Sequence, residues 1–154
     1  MRYYMVDRID ELKKFEYAVG TKCITITDDV FVDHFPGQPI YPGALLIESM
    51  AQLGGALLEL SLRGTMDYLP RCILTTVTAK FRNAAKPGDQ LTLRAEVLSR
   101  HEDSAKVRVE TTCGDTRVCQ AEILYVYLRL DDPRLEASRS EYLDILTRST
   151  TFVE

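Results

Sequence analysis

One apolar segment, Ala44–Leu62, constrains the fold of this chain more than any other feature. Its polar side chains are those of Glu48, Ser49, Gln52, Glu59 and Ser61. A helix at a protein surface carries a polar half, whereas a helix that is apolar on nearly every side has to be enclosed. We therefore predict a central helix over 44–62 that stops at Gly64.

The segments on both sides of this helix have the composition and alternation of β-strands. Six strands are predicted, over Tyr3–Val6, Lys22–Thr27, Cys72–Phe81, Leu91–Val97, Val107–Thr112 and Val118–Leu130, followed by a short amphipathic helix over Leu135–Leu146. This order predicts a single α+β domain in which a curved antiparallel sheet wraps around one long helix. One sheet leaves a side of the helix and its own edges uncovered, so we expect a homodimer.

Composition excludes several classes of protein. The 154 residues are 45% apolar and 27% charged, and the formal net charge is −4, which disfavours a general nucleic-acid or anionic-membrane binder. Residues 1–10 carry four charges and no apolar core, so they do not form a signal peptide. No uninterrupted apolar run approaches the length of a membrane span.

The four cysteines, at positions 23, 72, 113 and 119, are expected to be reduced thiols in a cytoplasmic protein. In a hairpin around Gly114-Asp115, Cys113 would face Thr116 and Cys119 would face Glu110, so these two are out of register for a disulfide. With two histidines far apart and no cluster of ligands, we expect no metal site.

His34 and Glu48 form the most plausible acid–base pair. His34 opens a stiff loop with three prolines and two glycines, and Glu48 follows 48 − 34 = 14 positions later inside the apolar helix. Burial there should raise the pKa of the Glu48 carboxyl, as suits a general acid. Gln52, at i+4, can orient that carboxyl. The competing interpretations are a solvated stripe of Glu48, Gln52 and Glu59, and an ordinary loop histidine.

Gly43 stands where the helix begins, so its N–H has no intrahelical acceptor. A carbonyl oxygen placed there would be polarised by the N–H and by the positive end of the helix. Base, acid and amide together suit abstraction of a proton α to a carbonyl, coupled to loss of a β-hydroxyl group.

The loop and helix carry a long motif with unusual spacing. It reads His34-Phe35-Pro36-Gly37-x-Pro39-x-x-Pro42-Gly43-x-Leu45-x-x-Glu48-x-Met50-Ala51-Gln52. This motif resembles the signature of the 3-hydroxyacyl-[acyl-carrier-protein] dehydratases of type II fatty acid synthesis. The resemblance extends to Tyr4–Arg8 upstream and to Lys80–Arg82 and Pro87–Leu91 downstream, and so spans roughly 3–128.

The resemblance implies a hot-dog fold over residues 1–130, with 131–154 as a C-terminal extension. It implies that His34 removes the C2 proton of a (3R)-3-hydroxyacyl thioester, that Glu48 protonates the departing hydroxyl, and that the Gly43 amide holds the carbonyl. The histidine and glutamate of one site would come from different subunits of a dimer, which in this family often assembles into a trimer of dimers, a hexamer.

The resemblance also implies how the substrate is carried and bound. No cofactor is expected, because the acyl group arrives on the phosphopantetheine of an acyl carrier protein. Candidate substrate-binding residues are Phe35, Tyr41, Pro42, Gly43, Leu45 and Gln52. Lys80, Arg82 and Lys86 are candidates for docking the acidic carrier; the alternative is that they are ordinary solvated charges.

One departure from the family pattern is Asp33, which replaces the usual glycine before the histidine. A carboxylate close to His34 would raise the pKa of the imidazole and weaken it as a base. Two other functions stay open on the sequence: a hot-dog acyl thioesterase, and a non-catalytic acyl-binding subunit.

Overall fold

The computed structural model describes residues 3–154, and its centre is the predicted helix. Helix α1 spans Gly43–Leu62, and every residue from Leu53 to Leu62 is buried. Gly64 follows with φ +80°, a left-handed conformation suited to glycine after a helix end. By length and composition α1 could cross a bilayer, but 72% of its most apolar window is buried inside the protein. It is the core helix.

A seven-stranded sheet surrounds α1. The strands are β1 Arg8–Lys13, β2 Tyr17–Cys23, β3 Arg71–Phe81, β4 Gln90–Arg100, β5 Ser104–Cys113, β6 Thr116–Leu128 and β7 Thr151–Val153. Their spatial order is β3-β6-β5-β4-β2-β1-β7. Alternate side chains of β4, β5 and β6 are buried, for example Leu91, Leu93 and Ala95 in β4. A curved sheet around one long helix is the expected hot-dog architecture, and β3 to β6 each overlap the segment predicted as a strand.

The first two strands, β1 and β2, form a hairpin that lies largely between the two segments predicted as strands. Tyr3–Val6 forms no strand, and Lys22–Thr27 overlaps β2 at two residues only. The reason is a bulge in β1, where the pairing with β2 shifts between Ile9 and Glu11. Ile9 and Leu12 are therefore both fully buried although they are three positions apart. This spacing hides the period of two on which the strand prediction relies.

A second bulge corrects the predicted register of the β5–β6 hairpin. Cys113 faces Thr116 as predicted, but Cys119 faces Thr111 rather than Glu110, because the register shifts between Thr111 and Thr112. The turn residues alone do not reveal such an extra residue. All four cysteines are nevertheless free thiols.

The C-terminal residues complete the sheet. Helix α2, Pro133–Leu146, confirms the predicted short helix, and the side chain of Asp132 caps it by accepting the N–H of Arg134 at 2.9 Å. After α2, β7 pairs in parallel with β1. The sheet is therefore mixed rather than wholly antiparallel, a pairing that three residues of exposed strand do not reveal in the sequence.

Helix α2 is fastened to α1 by side chains. It buries Tyr142, Leu143 and Leu146 against the core. Arg63, the residue that follows α1, lies 2.8 Å from the Asp144 carboxylate, and Arg139 of α2 lies 2.6 Å from the carboxylate of the buried Glu59 of α1.

Two adjacent glycines of α1 are predicted to respond oppositely to alanine. A Cβ at Gly54 would lie 2.5 Å from the Tyr125 hydroxyl oxygen, which is buried and donates to the Ala51 carbonyl. A Cβ at Gly55 would meet its nearest atom at 3.7 Å. Gly54→Ala should therefore lower the free energy of unfolding by about 1–3 kcal/mol, whereas Gly55→Ala should leave it unchanged or raise it by up to about 1 kcal/mol. Urea denaturation measures both, and equal effects would contradict this packing.

Candidate active site

Backbone hydrogen bonds fix His34 on both sides. Its N–H donates to the Val30 carbonyl at 3.0 Å, and its own carbonyl accepts the Ile40 N–H at 3.0 Å. Between them, Phe35 and Gln38 exchange two hydrogen bonds, at 3.2 and 3.0 Å. The half-buried imidazole packs on the exposed Phe35 ring, with the centroids 4.0 Å apart. The loop thus holds the histidine in one place with part of its ring open to solvent.

Asp33 precedes this histidine at the end of a 3₁₀ helix, Asp29–Val32. Its side chain is exposed. Within residues 3–154 the Asp33 carboxylate makes no ion pair with the His34 imidazole. The prediction that Asp33 weakens His34 as a base is therefore not supported by a direct contact.

The end of the loop delivers the chain into α1. The Tyr41 N–H donates to the Ala85 carbonyl at 2.8 Å, and the Pro42 carbonyl accepts the amides of Leu45 and Leu46. The Tyr41 ring is only 3% exposed, and burial raises the pKa of its phenol to about 12. Tyr41, Pro42 and Leu45 border one cavity of about 620 Å³ beside the loop.

Gly43 is the first residue of α1, so its N–H lies in the unsatisfied first turn. A Cβ at this position would come within 3.0 Å of the Phe81 ring. Gly43 and Phe81 border a second cavity of about 310 Å³, which Arg82 also lines. The glycine therefore allows β3 to approach the helix start and leaves space beside the amide.

Gln52 holds the Glu48 carboxyl, as the i+4 spacing predicts. Its Nε2 donates to Glu48 Oε1 at 2.8 Å and to the Tyr3 carbonyl at 3.0 Å. Its Oε1 accepts the Met5 N–H at 2.8 Å, and the Tyr142 hydroxyl lies 3.5 Å away. These contacts fix the orientation of the amide, and with it one oxygen of Glu48.

Glu48 and Gln52 open into a cavity of about 540 Å³. Its lining also includes Tyr3, Tyr4, Ala51, Gly55, Glu59, Arg71, Cys72, Ile73, Leu74, Tyr125, Leu135, Ser138, Arg139 and Tyr142. His34 and Gly43 are not among these residues. Within one chain, therefore, the predicted base does not line the cavity that the predicted acid opens into.

The sequence did not identify Glu59 as a site residue, although it lines the Glu48 cavity. Glu59 is 1% exposed, and its carboxylate lies 2.6 Å from Arg139 and 3.5 Å from Arg71 and accepts the Cys72 N–H at 3.0 Å. The solvated-stripe interpretation is therefore wrong for Glu59. The i+11 spacing, which places Glu59 on the same face of α1 as Glu48, was the available signal in the sequence. The pairing of Glu59 with Arg139 had no such signal, because the two residues are 80 positions apart.

The three candidate carrier-docking cations lie on the surface. Lys80 is near the end of β3, Arg82 follows that strand, and Lys86 is in the next turn; all three are exposed. Arg82 also lines the cavity at Gly43. Within residues 3–154, no group of three or more His, Cys, Asp or Glu side chains is placed to hold a metal ion.

Comparison with known proteins decides the family. The model of the FabA-like domain matches residues 1–122. The chain belongs to this family. It is 38% identical over 123 residues to the 3-hydroxyacyl-[acyl-carrier-protein] dehydratase FabZ of Campylobacter jejuni, covering 79% of this chain and 84% of that protein. The FabZ of Levilactobacillus brevis is 35% identical over 129 residues, covering 82% and 84%. Helix α2 and β7 lie beyond the matched FabA-like domain.

Solved structures share the fold at low identity. A hypothetical thioesterase from Streptococcus pneumoniae TIGR4, crystallised with coenzyme A, superposes with a TM-score of 0.63 at 17% identity, over 81% of this chain and 88% of that one. The PaaI protein of E. coli gives 0.60 at 17% identity, over 77% and 81%. These likenesses confirm the hot-dog fold and do not extend to chemistry.

The four thiols should differ in reactivity. Burial, and then the negative charge of Glu59, raises the pKa of Cys72, while burial raises the pKa of Cys119 to about 11. A raised pKa leaves less thiolate at a given pH, and the thiolate is the nucleophile. At neutral pH iodoacetamide should therefore label the exposed Cys23 well before Cys72 and Cys119. Peptide mass spectrometry measures this order, with Cys23→Ser as the control; faster labelling of Cys72 would contradict it.

Proposed function

We propose that this protein dehydrates (3R)-3-hydroxyacyl-[acyl-carrier-protein] thioesters to trans-2-enoyl thioesters in fatty acid or related lipid biosynthesis. Membership of the FabA-like family and the FabZ relatives support the reaction. The observation that carries the assignment to residues is the Gln52–Glu48 hydrogen bond of 2.8 Å, which points a carboxyl group into a cavity. An acyl-binding module has no need of such an oriented carboxyl.

The reaction balances with three groups of this chain. The His34 imidazole takes the proton from C2 as electron density moves onto the thioester oxygen, which the Gly43 N–H stabilises. The C3–O bond then breaks, the Glu48 carboxyl donates its proton to the hydroxyl, and water leaves. Solvent returns the proton from His34 to Glu48. Since no electrons are exchanged with another group, this route needs no cofactor beyond the carrier's own phosphopantetheine.

The same assignment requires a homodimer in which each site takes His34 from one subunit and Glu48 from the other. The separation of His34 from the Glu48 cavity within one chain supports it. So does β3, an edge strand of eleven residues that exposes Ile73, Leu74 and Phe81 by 40%, 37% and 50%. Such an edge pairs readily with a second copy. Further assembly to a hexamer and docking of the carrier on Lys80, Arg82 and Lys86 are parts of the same proposal.

We also place the protein in the cytoplasm. The four free thiols, of which Cys23, Cys72 and Cys113 are at least partly exposed to solvent, fit a reducing compartment.

Loss of either catalytic group should abolish turnover. His34→Ala and Glu48→Gln should each lower kcat by at least about 100-fold, the usual contribution of general acid–base catalysis. The assay follows enoyl absorbance during hydration of crotonyl and longer enoyl thioesters. Wild-type inactivity on every chain length and carrier would refute the enzyme; equal rates in all three proteins would refute the site. Release of free thiol without an enoyl product would indicate a thioesterase instead.

Mixing the two inactive variants tests the shared site. A hybrid dimer pairs the intact His34 of one subunit with the intact Glu48 of the other, so each hybrid should have one working site. We expect activity to return as subunits exchange, with unmixed variants incubated alike as controls. If exchange is verified by native mass spectrometry and no activity returns, the two residues do not act across a subunit boundary.

Gln52→Leu should lower kcat by roughly 10–100-fold, because misplacing a catalytic group by an ångström has effects of that size. The matched control is Gln90→Leu, the same substitution at an exposed glutamine of β4 outside the Glu48 cavity, which should keep near wild-type kcat. Since Gln52 also binds the Tyr3 and Met5 backbone, Tm is measured for both variants. A folded Gln52→Leu protein with unchanged kcat would show that Glu48 needs no orientation.

A further inference from the structure

The Glu48 cavity follows one stripe of α1. Glu48, Ala51, Gln52, Gly55 and Glu59 recur at the spacing of a single helix face. At 1.5 Å per residue, the eleven steps from Glu48 to Glu59 span about 16 Å. The cavity is therefore an elongated groove with the predicted acid at one end.

The side walls of the groove come from segments far apart in the chain. One wall is the beginning of β3, with Cys72, Ile73 and Leu74, and the other is the helix α2. Tyr4 and Tyr142 close part of the rim, their rings stacked at a centroid distance of 4.3 Å. Since α2 lies beyond the matched FabA-like domain, this wall is a feature of the present chain rather than of the family model.

The far end of the groove is charged. Glu59 is held by Arg139 and Arg71, and the Arg139 side chain is 14% exposed. Separating a buried ion pair leaves uncompensated charge, which is strongly unfavourable. An apolar chain terminus that reached this point would have to displace the pair or stop short of it.

We propose that this groove holds the acyl chain of the substrate and that the Glu59–Arg139 pair, supplied in part by α2, sets the longest chain the enzyme accepts. The inference rests on the proposed dehydration at Glu48. The C3 hydroxyl must reach that carboxyl, so the remainder of the chain leaves the reacting carbons at this end of the groove. Gly55 lies between the two carboxylates and keeps the passage open.

The first test narrows the groove. Gly55→Ala adds a methyl group beside the passage without a clash, so the protein should fold normally. We expect kcat/KM for dodecenoyl-coenzyme A to fall by about tenfold or more, the size of effect of one methylene in an apolar pocket, while kcat/KM for crotonyl-coenzyme A stays unchanged. An equal loss on both substrates would place the pantetheine arm in the groove instead and overturn the proposal, as would no loss on either.

The second test removes the Glu59–Arg139 pair at the far end of the groove. The double variant Glu59→Met, Arg139→Met replaces this buried pair with apolar side chains of similar length, a change that is often neutral for stability. Arg71, the second partner of Glu59, remains, but its side chain is 29% exposed and keeps access to solvent; Tm is measured to verify that the variant folds. We expect kcat/KM for dodecenoyl-coenzyme A to rise relative to crotonyl-coenzyme A. The matched control is Arg134→Met, on the same helix with a side chain 92% exposed, which should leave the ratio unchanged. An unchanged ratio in a folded double variant would overturn the proposal.

Failure of this inference and failure of the proposed function give different results. If the wild-type protein turns over no enoyl thioester, the dehydratase assignment fails. If it turns over crotonyl-coenzyme A and no variant shifts the ratio between long and short chains, the dehydratase assignment stands and the groove does not select chain length.

Discussion

Enclosure of α1 is the constraint on which the rest of the structure depends. Ten consecutive residues at its C-terminal half are buried, so the sheet has to curve around the helix rather than lie flat against it. Burial of each large apolar side chain contributes about 1.5–3 kcal/mol, and Leu53, Leu57 and Leu58 are fully buried. A polar side chain on such a helix has to find a partner or a cavity.

The polar residues of α1 follow that rule and thereby define the candidate site. Glu48 is paired with Gln52 beside a cavity, and Glu59 is paired with two arginines. Ser49 and Ser61 satisfy their hydroxyls on carbonyls one turn earlier in the same helix. Among the polar residues of α1, those available for catalysis are thus the ones that line a cavity which the surrounding sheet does not fill.

Most of the fold and the candidate site could be read from the sequence where local pattern decides structure. The continuous apolar run predicted the helix, and alternation predicted β4 and β5. The Thr, Val and Ile content predicted β3, the turn at Gly114-Asp115 predicted β6, and the Gln52–Glu48 contact follows from the i+4 spacing. The predicted positions of β1 and β2 and the predicted partner of Cys119 were wrong. In both places a bulge adds a residue and breaks the period of two on which the prediction relies. The pairing of β7 with β1 and of Arg139 with Glu59 joins residues far apart in the chain, and no local pattern encodes such contacts.

The pairing of β7 with β1 also bears on how the molecule is made. Glu11 of β1 lies beside Thr151 of β7, so one edge of β1 stays open until residues 151–153 have been synthesised. On a ribosome, domains fold as the chain emerges. Here 151 − 11 = 140 residues separate Glu11 from Thr151, so β1 is synthesised long before its partner β7. Helix α2 emerges shortly before β7, so the wall of the Glu48 groove and the closing edge of the sheet are completed together. The nascent protein would therefore gain its finished cavity only after α2 and β7 have been synthesised.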